Sequence, residues 1–179
     1  MKIVLVLAMH GMLPCDFPRE EAGEFFALHG RLEHASGPER TALERRHAEL
    51  EAKMRIWPRT SANDPFYGAS QELAAALARE MGCEVIVGFN EFCAPTLDEA
   101  LDQALARGAE RVVVTTPMMT RGGEHSEVDI PAAIQRAQGC HPESQILYAW
   151  PFTASDVAGF LAKQIRHSIP KQGGQTCAV

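Results

Sequence analysis

Four short apolar runs punctuate the chain, at residues 2–9, 84–90, 111–117 and 145–150. They are near-continuously apolar rather than alternating, the pattern of parallel strands buried on both faces. Helical periodicity separates them. Over 96–109, Leu97, Ala100, Leu101, Ala104 and Leu105 repeat at i, i+3, i+4, i+7 and i+8, one apolar stripe of a 3.6-residue helix. Thr96 and Glu99 form a capping box at its start, and Gly108 lies near its end. A last helix over about 155–167 carries Val157, Phe160, Leu161 and Ile165 on one side. Strands alternating with helices predict an α/β fold: a four-stranded parallel sheet flanked by helices.

The interval between the first two strands is too long for one crossover. It reads as three helices, at 19–35, 38–57 and 65–81. The third is the natural crossover, with Asp64 as N-cap, Pro65 at the first helical position and Gly82 beyond the end. The second is highly charged, with Glu49–Lys53 and Glu51–Arg55 pairs at i, i+4, yet Leu43, His47, Leu50, Met54 and Trp57 form a stripe. A solvated helix has no use for that stripe, so the helix packs on something. Residues 17–63 therefore read as a helical insertion. It leaves the carboxyl end of the first strand, the edge at which open parallel sheets bind ligands, and a lid or a dimer arm is the expectation. One domain over 1–170 is expected, with a disordered tail at 171–179.

Composition narrows the function classes. The chain has 179 residues and a formal net charge of −6, which disfavours nucleic acid and anionic membranes as partners. Five cysteines (Cys15, Cys83, Cys93, Cys140 and Cys177) are widely spaced and form no CxxC. Reduced thiols in a cytoplasm are expected, not a disulfide framework, a zinc ribbon or an iron–sulfur centre. The opening MKIVLVLAM leads into His-Gly instead of a cleavage site and reads as the first strand. Cys177 lies third from the end and makes no prenylation box.

Chemistry is expected where the strands end. The first strand ends at His10-Gly11 and the second at Asn90-Glu91. The third runs into Arg121, Gly122, Gly123, Glu124 and His125, and the fourth ends at Trp150-Pro151. Two imidazoles and a carboxylate thus converge on one edge from three strands. Singly, each has a plainer reading: a hydrogen-bonded structural histidine, a solvated or Arg121-paired Glu91, a glycine turn. Together they make a borderline divalent-metal set or an acid–base site, and the residues alone leave those two open.

The run VGFNEFCAPTLDEALDQALARGAERVVVTTPMMTRGGEHSEVDIPAAI resembles the core of the class II tetrapyrrole chelatases, the CbiX/SirB sirohydrochlorin chelatase group. The shared features stand here as AMHG, NEFCAPTLDEA and GGEHSEVDIP, and ILYAWPFTASDVAGFLAKQI also fits. The resemblance covers residues 1–12 and about 65–167. It implies that His10 and His125 are the metal-site histidines and that Glu91 works with them as ligand or base. It also implies a substrate pair of a divalent ion (Co²⁺, Fe²⁺ or Ni²⁺) and a polycarboxylate tetrapyrrole, with no organic cofactor. Gly11, Arg121, Gly122 and Gly123 become candidate substrate contacts through the guanidinium and backbone N–H groups. Single-domain members pair two copies, so a homodimer is implied.

The chain departs from the group's pattern in two places. Met12-Leu13-Pro14 follows His10-Gly11 where a polar pair is usual, and the helical insertion is extra. Two other classes are therefore weighed: a carrier or sensor of a metal or tetrapyrrole without turnover, and a helix-mediated interaction protein on a chelatase core. Arg45, Arg46, Lys53, Arg55 and Arg59 in the insertion read as a solvated face, or as cover for an anionic macrocycle. His47 reads as a packing residue, His29 and His34 as exposed, and His141 carries no role. His167 sits where a helix C-terminus favours its charged form. Asp129 reads as an N-cap before Ile130-Pro131.

Overall fold

A computed structural model describes residues 2–32 and 34–169. The expected tail, with Cys177, lies outside them. Strands β1 (Ile3–Met9), β2 (Glu84–Phe89), β3 (Arg111–Thr115) and β4 (Gln145–Tyr148) form one parallel sheet in the order β2-β1-β3-β4. The helices are α1 (Arg19–Leu32), α2 (Gly37–Arg55), α3 (Pro65–Met81), α4 (Leu97–Ala106), α5 (Ile130–Cys140) and α6 (Ala154–Ser168). Among the described residues no helix is long and apolar enough to cross a membrane.

Parallel pairing with alternating side chains gives the sheet two unequal faces. On one, Val4, Val6, Ala8, Ile86, Val112, Val114 and Ile146 pack with Leu97, Ala100, Leu101 and Ala104 of α4 and Ile130, Ala133 and Ala137 of α5. On the other, Leu7, Met9, Val87 and Phe89 meet Ala74, Phe66, Tyr67 and Leu77 of α3. That cover ends at the central strands: Val113 is half-buried and Leu147 of β4 is 40% exposed. The expectation of a sheet buried on both faces is thus met only in part. The shortfall lies with α6, which has no buried residue and leaves Phe160 57% exposed, with Leu161, Ile165 and Ile169 similarly open.

Local signals act as read. Asp64 Oδ1 accepts from the Tyr67 N–H at 2.9 Å, and Gly82 ends α3 in the left-handed region at φ 64°. Both halves of the Thr96–Glu99 capping box are made. The insertion is a helical hairpin with its own core, in which Phe17, Phe25, Leu28, Leu43, Leu50 and Met54 are buried. Its helices are laced by Arg46–Glu24 at 2.7 Å and Lys53–Glu21 at 2.6 Å.

Gly88 of β2 lies hard against α4. A methyl there would lie 2.8 Å from Ala100 Cβ and 3.1 Å from the Leu97 Cα of α4. Because the obstacle includes backbone, Gly88→Ala is expected to push α4 off the sheet and cost about 1–3 kcal/mol. Urea denaturation of the variant beside the wild type measures it.

Candidate metal centre

The register Met9↔Phe89 brings the carboxyl ends of β1 and β2 level. Pairing continues past the strands: Asn90 N–H donates to Met9 O at 2.9 Å, and Glu91 N–H to His10 O at 2.8 Å. Gly11 then turns away at φ 100°. A Cβ on it would stand 1.9 Å from the Glu91 carbonyl oxygen, so only glycine allows the two loops this approach. Its observed part is therefore in packing the loops together.

His125 arrives from the third strand end on a single π turn, His125–Asp129, that runs into α5. Pro131 lacks an N–H to donate back to residue 127, and the Ile130 N–H reaches five residues back to His125 O. Such turns re-aim side chains within a helix. Tyr148 on β4 anchors this one, its hydroxyl donating to Ser126 O at 3.0 Å. Burial raises that phenol's pKa to about 12, so the donor persists through the neutral range.

Asp129 is corrected from an N-cap to a histidine partner. It makes no side-chain cap, because the π turn and α5 are continuous. Its Oδ2 instead lies 2.6 Å from His125 Nδ1. His10 Nδ1 lies 2.7 Å from Gly11 O. A carboxylate and a carbonyl only accept, so both Nδ1 atoms carry the proton, and in each neutral ring Nε2 holds the lone pair. The spacing H-x₃-D, two groups one helical turn apart, was the available sequence signal for this pair.

Both Nε2 atoms face Glu91: His10 Nε2 to Oε2 is 3.9 Å, and His125 Nε2 to Oε1 is 3.8 Å. The two imidazoles meet edge to face, centroids 4.6 Å apart. Among the described residues, His10, Glu91 and His125 form the group of potential ligand atoms close enough to hold one ion, all within 4.8 Å of one another. Ligands 2.0–2.1 Å from a tetrahedral ion are roughly 3.4 Å apart, so slight inward movement closes the set. Cys93, on the same loop, is not a fourth ligand. It is buried, its Sγ donates to the Ala94 carbonyl, and it lies outside the group of atoms close enough to share an ion.

The insertion grips the Glu91 loop through two guanidinium groups. Arg55 donates to Asn90 O and to Cys93 O, each at 3.2 Å, while paired to Glu51. Arg59 is 5% exposed; it pairs with Asp64 and donates to the carbonyls of Met12, Met54 and Phe92. One side chain thereby joins the loop after β1, the end of α2 and the loop after β2. Each of these guanidinium groups is spent on a carboxylate of its own chain and on backbone carbonyls, so neither belongs to a solvated helix face.

Between hairpin and cluster lies a cavity of about 350 Å³. Phe25, Phe26, His29, His47, Glu51 and Arg55 line it on one side, and Asn90, Glu91, Phe92, His125 and Asp129 on the other. Arg121 opens on a different cavity, with Met119, Phe152, Val157 and Leu161. Gly122 and Gly123 are exposed on the turn beside it. The structure thus groups His10, Glu91 and His125, with Gly11 between their loops, and places Arg121 apart from them.

Comparison with known proteins yields a consistent set of likenesses. The CbiX family model matches residues 61–168. A sirohydrochlorin cobaltochelatase of Priestia megaterium is 30% identical over 93 residues, 51% of this chain and 30% of that protein. A sirohydrochlorin ferrochelatase of the same organism is 26% identical over 83 residues, 46% of this chain and 31% of that protein. The matched regions thus span about a third of those relatives. A sirohydrochlorin cobaltochelatase of Saccharolobus islandicus (strain L.S.2.15 / Lassen #1) is 34% identical over 91 residues, 47% of this chain and 70% of that protein. The crystal structure of a CbiX protein from Marinobacter aquaeolei VT8 superposes with a TM-score of 0.52 at 15% identity, over 92% of this chain and 94% of that one. At that identity it speaks for the fold alone.

His47 differs from the cluster histidines. It stacks on Phe25 with centroids 4.2 Å apart, and its Nε2 is buried without a hydrogen-bond partner. Desolvation lowers its pKa below 6.5; Glu51 pulls the other way and His29 adds a smaller lowering. The unfolded chain then binds the extra proton more readily, so acid favours unfolding. Stability is lost as pH falls through 6.5 toward the folded value and levels off below it. The expected result is a larger fall in Tm from about pH 7.5 to pH 5.5 for wild type than for His47→Leu, read by circular dichroism.

Proposed function

The chain belongs to the CbiX family, and from that membership and its His–Glu–His cluster we propose that it inserts a divalent metal ion into a metal-free tetrapyrrole of the sirohydrochlorin type. The observation that carries the reading is the inward-turned pair of Nε2 lone pairs on His10 and His125, with the Glu91 carboxylate between them. Co²⁺ and Fe²⁺ are the ions named for relatives. Ni²⁺ suits the same imidazole and carboxylate donors, and cells select among these by supply.

The chemistry follows from charge balance. Metallation exchanges one divalent ion for two pyrrole N–H protons, and the ion must shed ligands as the nitrogens take over. In this reading the two imidazoles and Glu91 hold the ion with positions left open for water and then for pyrrole nitrogen. As the ion leaves, the same donor atoms regain free lone pairs beside the pyrrole protons, which they accept. The half-exposed setting and the 3.8–3.9 Å spacing suit an ion held as cargo, since a closed structural site would retain it.

A homodimer belongs to the same proposal. The apolar face of α6, with Phe160, Leu161 and Ile165, and the uncovered half of the sheet at Val113 and Leu147 are left open by one chain. Exposed apolar area of this kind marks an association surface, and a second copy supplies a matching pair of faces. Arg121 borders α6 and acts as a substrate contact, in this reading, from the assembled form.

Two measurements test these readings. Anaerobic absorbance of sirohydrochlorin with Co²⁺, and separately Fe²⁺, is expected to show metallation faster than the uncatalysed rate. His10→Ala, His125→Ala and Glu91→Gln are each expected to lower kcat/KM by about 10²- to 10⁴-fold. Binding spectra without acceleration would identify a carrier instead, and no spectral effect would remove both. For the assembly, sedimentation velocity is expected to give a dimer for wild type and a monomer for the Leu161→Glu, Ile165→Glu double variant.

A further inference from the structure

The hairpin presents an aromatic wall to the cavity that holds Glu91 and His125. Phe25 and Phe26 meet edge to face with centroids 5.4 Å apart, and Phe92 lies 6.1 Å from each. His47 stacks on Phe25. Phe25 is buried and belongs to the hairpin core, but Phe26 is 53% exposed. Its exposed half lines the cavity that also holds Glu91 and His125. The one polar atom in this wall left buried and unpartnered is His47 Nε2, a state that costs free energy unless something bonds to it.

Wall and metal cluster face one space. At about 350 Å³ it falls at the small end of the range for organic ligands, roughly 300–1,000 Å³, and admits part of a macrocycle with the rest extending outward. Metal insertion is directional: the ion approaches along the normal to the ring plane, so one face of the ring must meet the ion's donors. The other face needs an apolar and fixed backing. The exposed ring of Phe26, held edge to face by Phe25 and Phe92, supplies it, and the Arg55 and Arg59 grips on the Asn90–Cys93 loop hold hairpin and Glu91 together.

We propose that Phe26 of the insertion, backed by Phe25, is a binding surface for the tetrapyrrole ring itself, holding one pyrrole edge against the His10–Glu91–His125 cluster. This rests on the chelatase reading and adds to it the ring contact and the reason for the extra helices. A small anion would find no use for an exposed phenyl ring, whereas a conjugated macrocycle gains from offset and edge contacts with it. The hydrated carboxylate rim then stays toward the open side.

The test is a metal-free titration of the full chain with sirohydrochlorin, read by quenching of the tetrapyrrole's fluorescence, for wild type, Phe26→Ala and Phe26→Trp. Because Phe26 is half exposed, neither change threatens the fold. The expected result is about a tenfold rise in Kd for Phe26→Ala and a Kd within about threefold of wild type for Phe26→Trp. Co²⁺ affinity, titrated separately, is expected to be equal in all three. Tight binding by wild type with an unchanged Kd in Phe26→Ala would overturn the wall and leave the chelatase reading standing. A parallel loss of Co²⁺ affinity in Phe26→Ala would overturn it too, by making Phe26 structural. No binding by wild type would overturn the chelatase reading and the wall with it.

Discussion

The approach of Gly11 to the Glu91 carbonyl is the contact on which the candidate centre depends. Two parallel strands in register end level, but level ends alone leave their loops free to diverge. Here the ladder is prolonged by two further N–H···O bonds. The missing side chain at Gly11 then lets one loop lie directly on the other's backbone. His10 and Glu91 are therefore neighbours by backbone geometry, before any attraction between their side chains acts. Glycine is required twice over, for the positive φ and for the space. The insertion enters the same junction, with Arg59 joining the carbonyls of Met12 and Phe92 and Arg55 those of Asn90 and Cys93.

Orientation within the cluster comes from a second layer. Each histidine is fixed by what its Nδ1 donates to, a carbonyl for His10 and a carboxylate for His125. Ligand histidines in metal sites are set in this way, with the partner choosing the tautomer and raising the basicity of the other nitrogen. The two partners differ in kind. Asp129 brings a negative charge to His125, while Gly11 offers His10 only a dipole. A carboxylate placed between two such rings suits a species that arrives positive and leaves in exchange for protons.

Most of the fold was legible because its signals are local. The apolar runs, the Thr96–Glu99 box and the Asp64–Pro65…Gly82 boundaries each act within a few residues, and the structure makes them as the pattern implies. His10, Glu91 and His125 were legible as a group because parallel strands deliver their ends to one edge. What the pattern hid depends on contacts across the fold. Arg55 and Arg59 look like members of a charged helix face, and only the tertiary arrangement shows them spent on loop carbonyls. Asp129 looked like a cap because Ile130-Pro131 resembles a helix start, whereas the helix had already begun at a π turn. Cover of the sheet was overestimated because an apolar stripe on α6 says that a face will be buried, not against what.

That last point bears on Arg121. In one chain it lies beside Met119, Phe152, Val157 and Leu161, a mostly apolar surface continuous with the open side of α6. An arginine there has a stem that can lie on apolar neighbours and a head that needs an anion or water. Covering the α6 face with a second copy would remove solvent from that stem and leave the guanidinium at the rim of the interface, where desolvation strengthens its pull on a carboxylate. In the proposed dimer, an anion contact at Arg121 and the burial of α6 would be linked, because the guanidinium would strengthen its pull only once the helix is covered. On that proposal the insertion and α6 would divide the work of enclosing the strand ends. The hairpin closes the cavity over Glu91 and His125 from within the chain, and on the proposed dimer a second copy would close the side bearing Arg121.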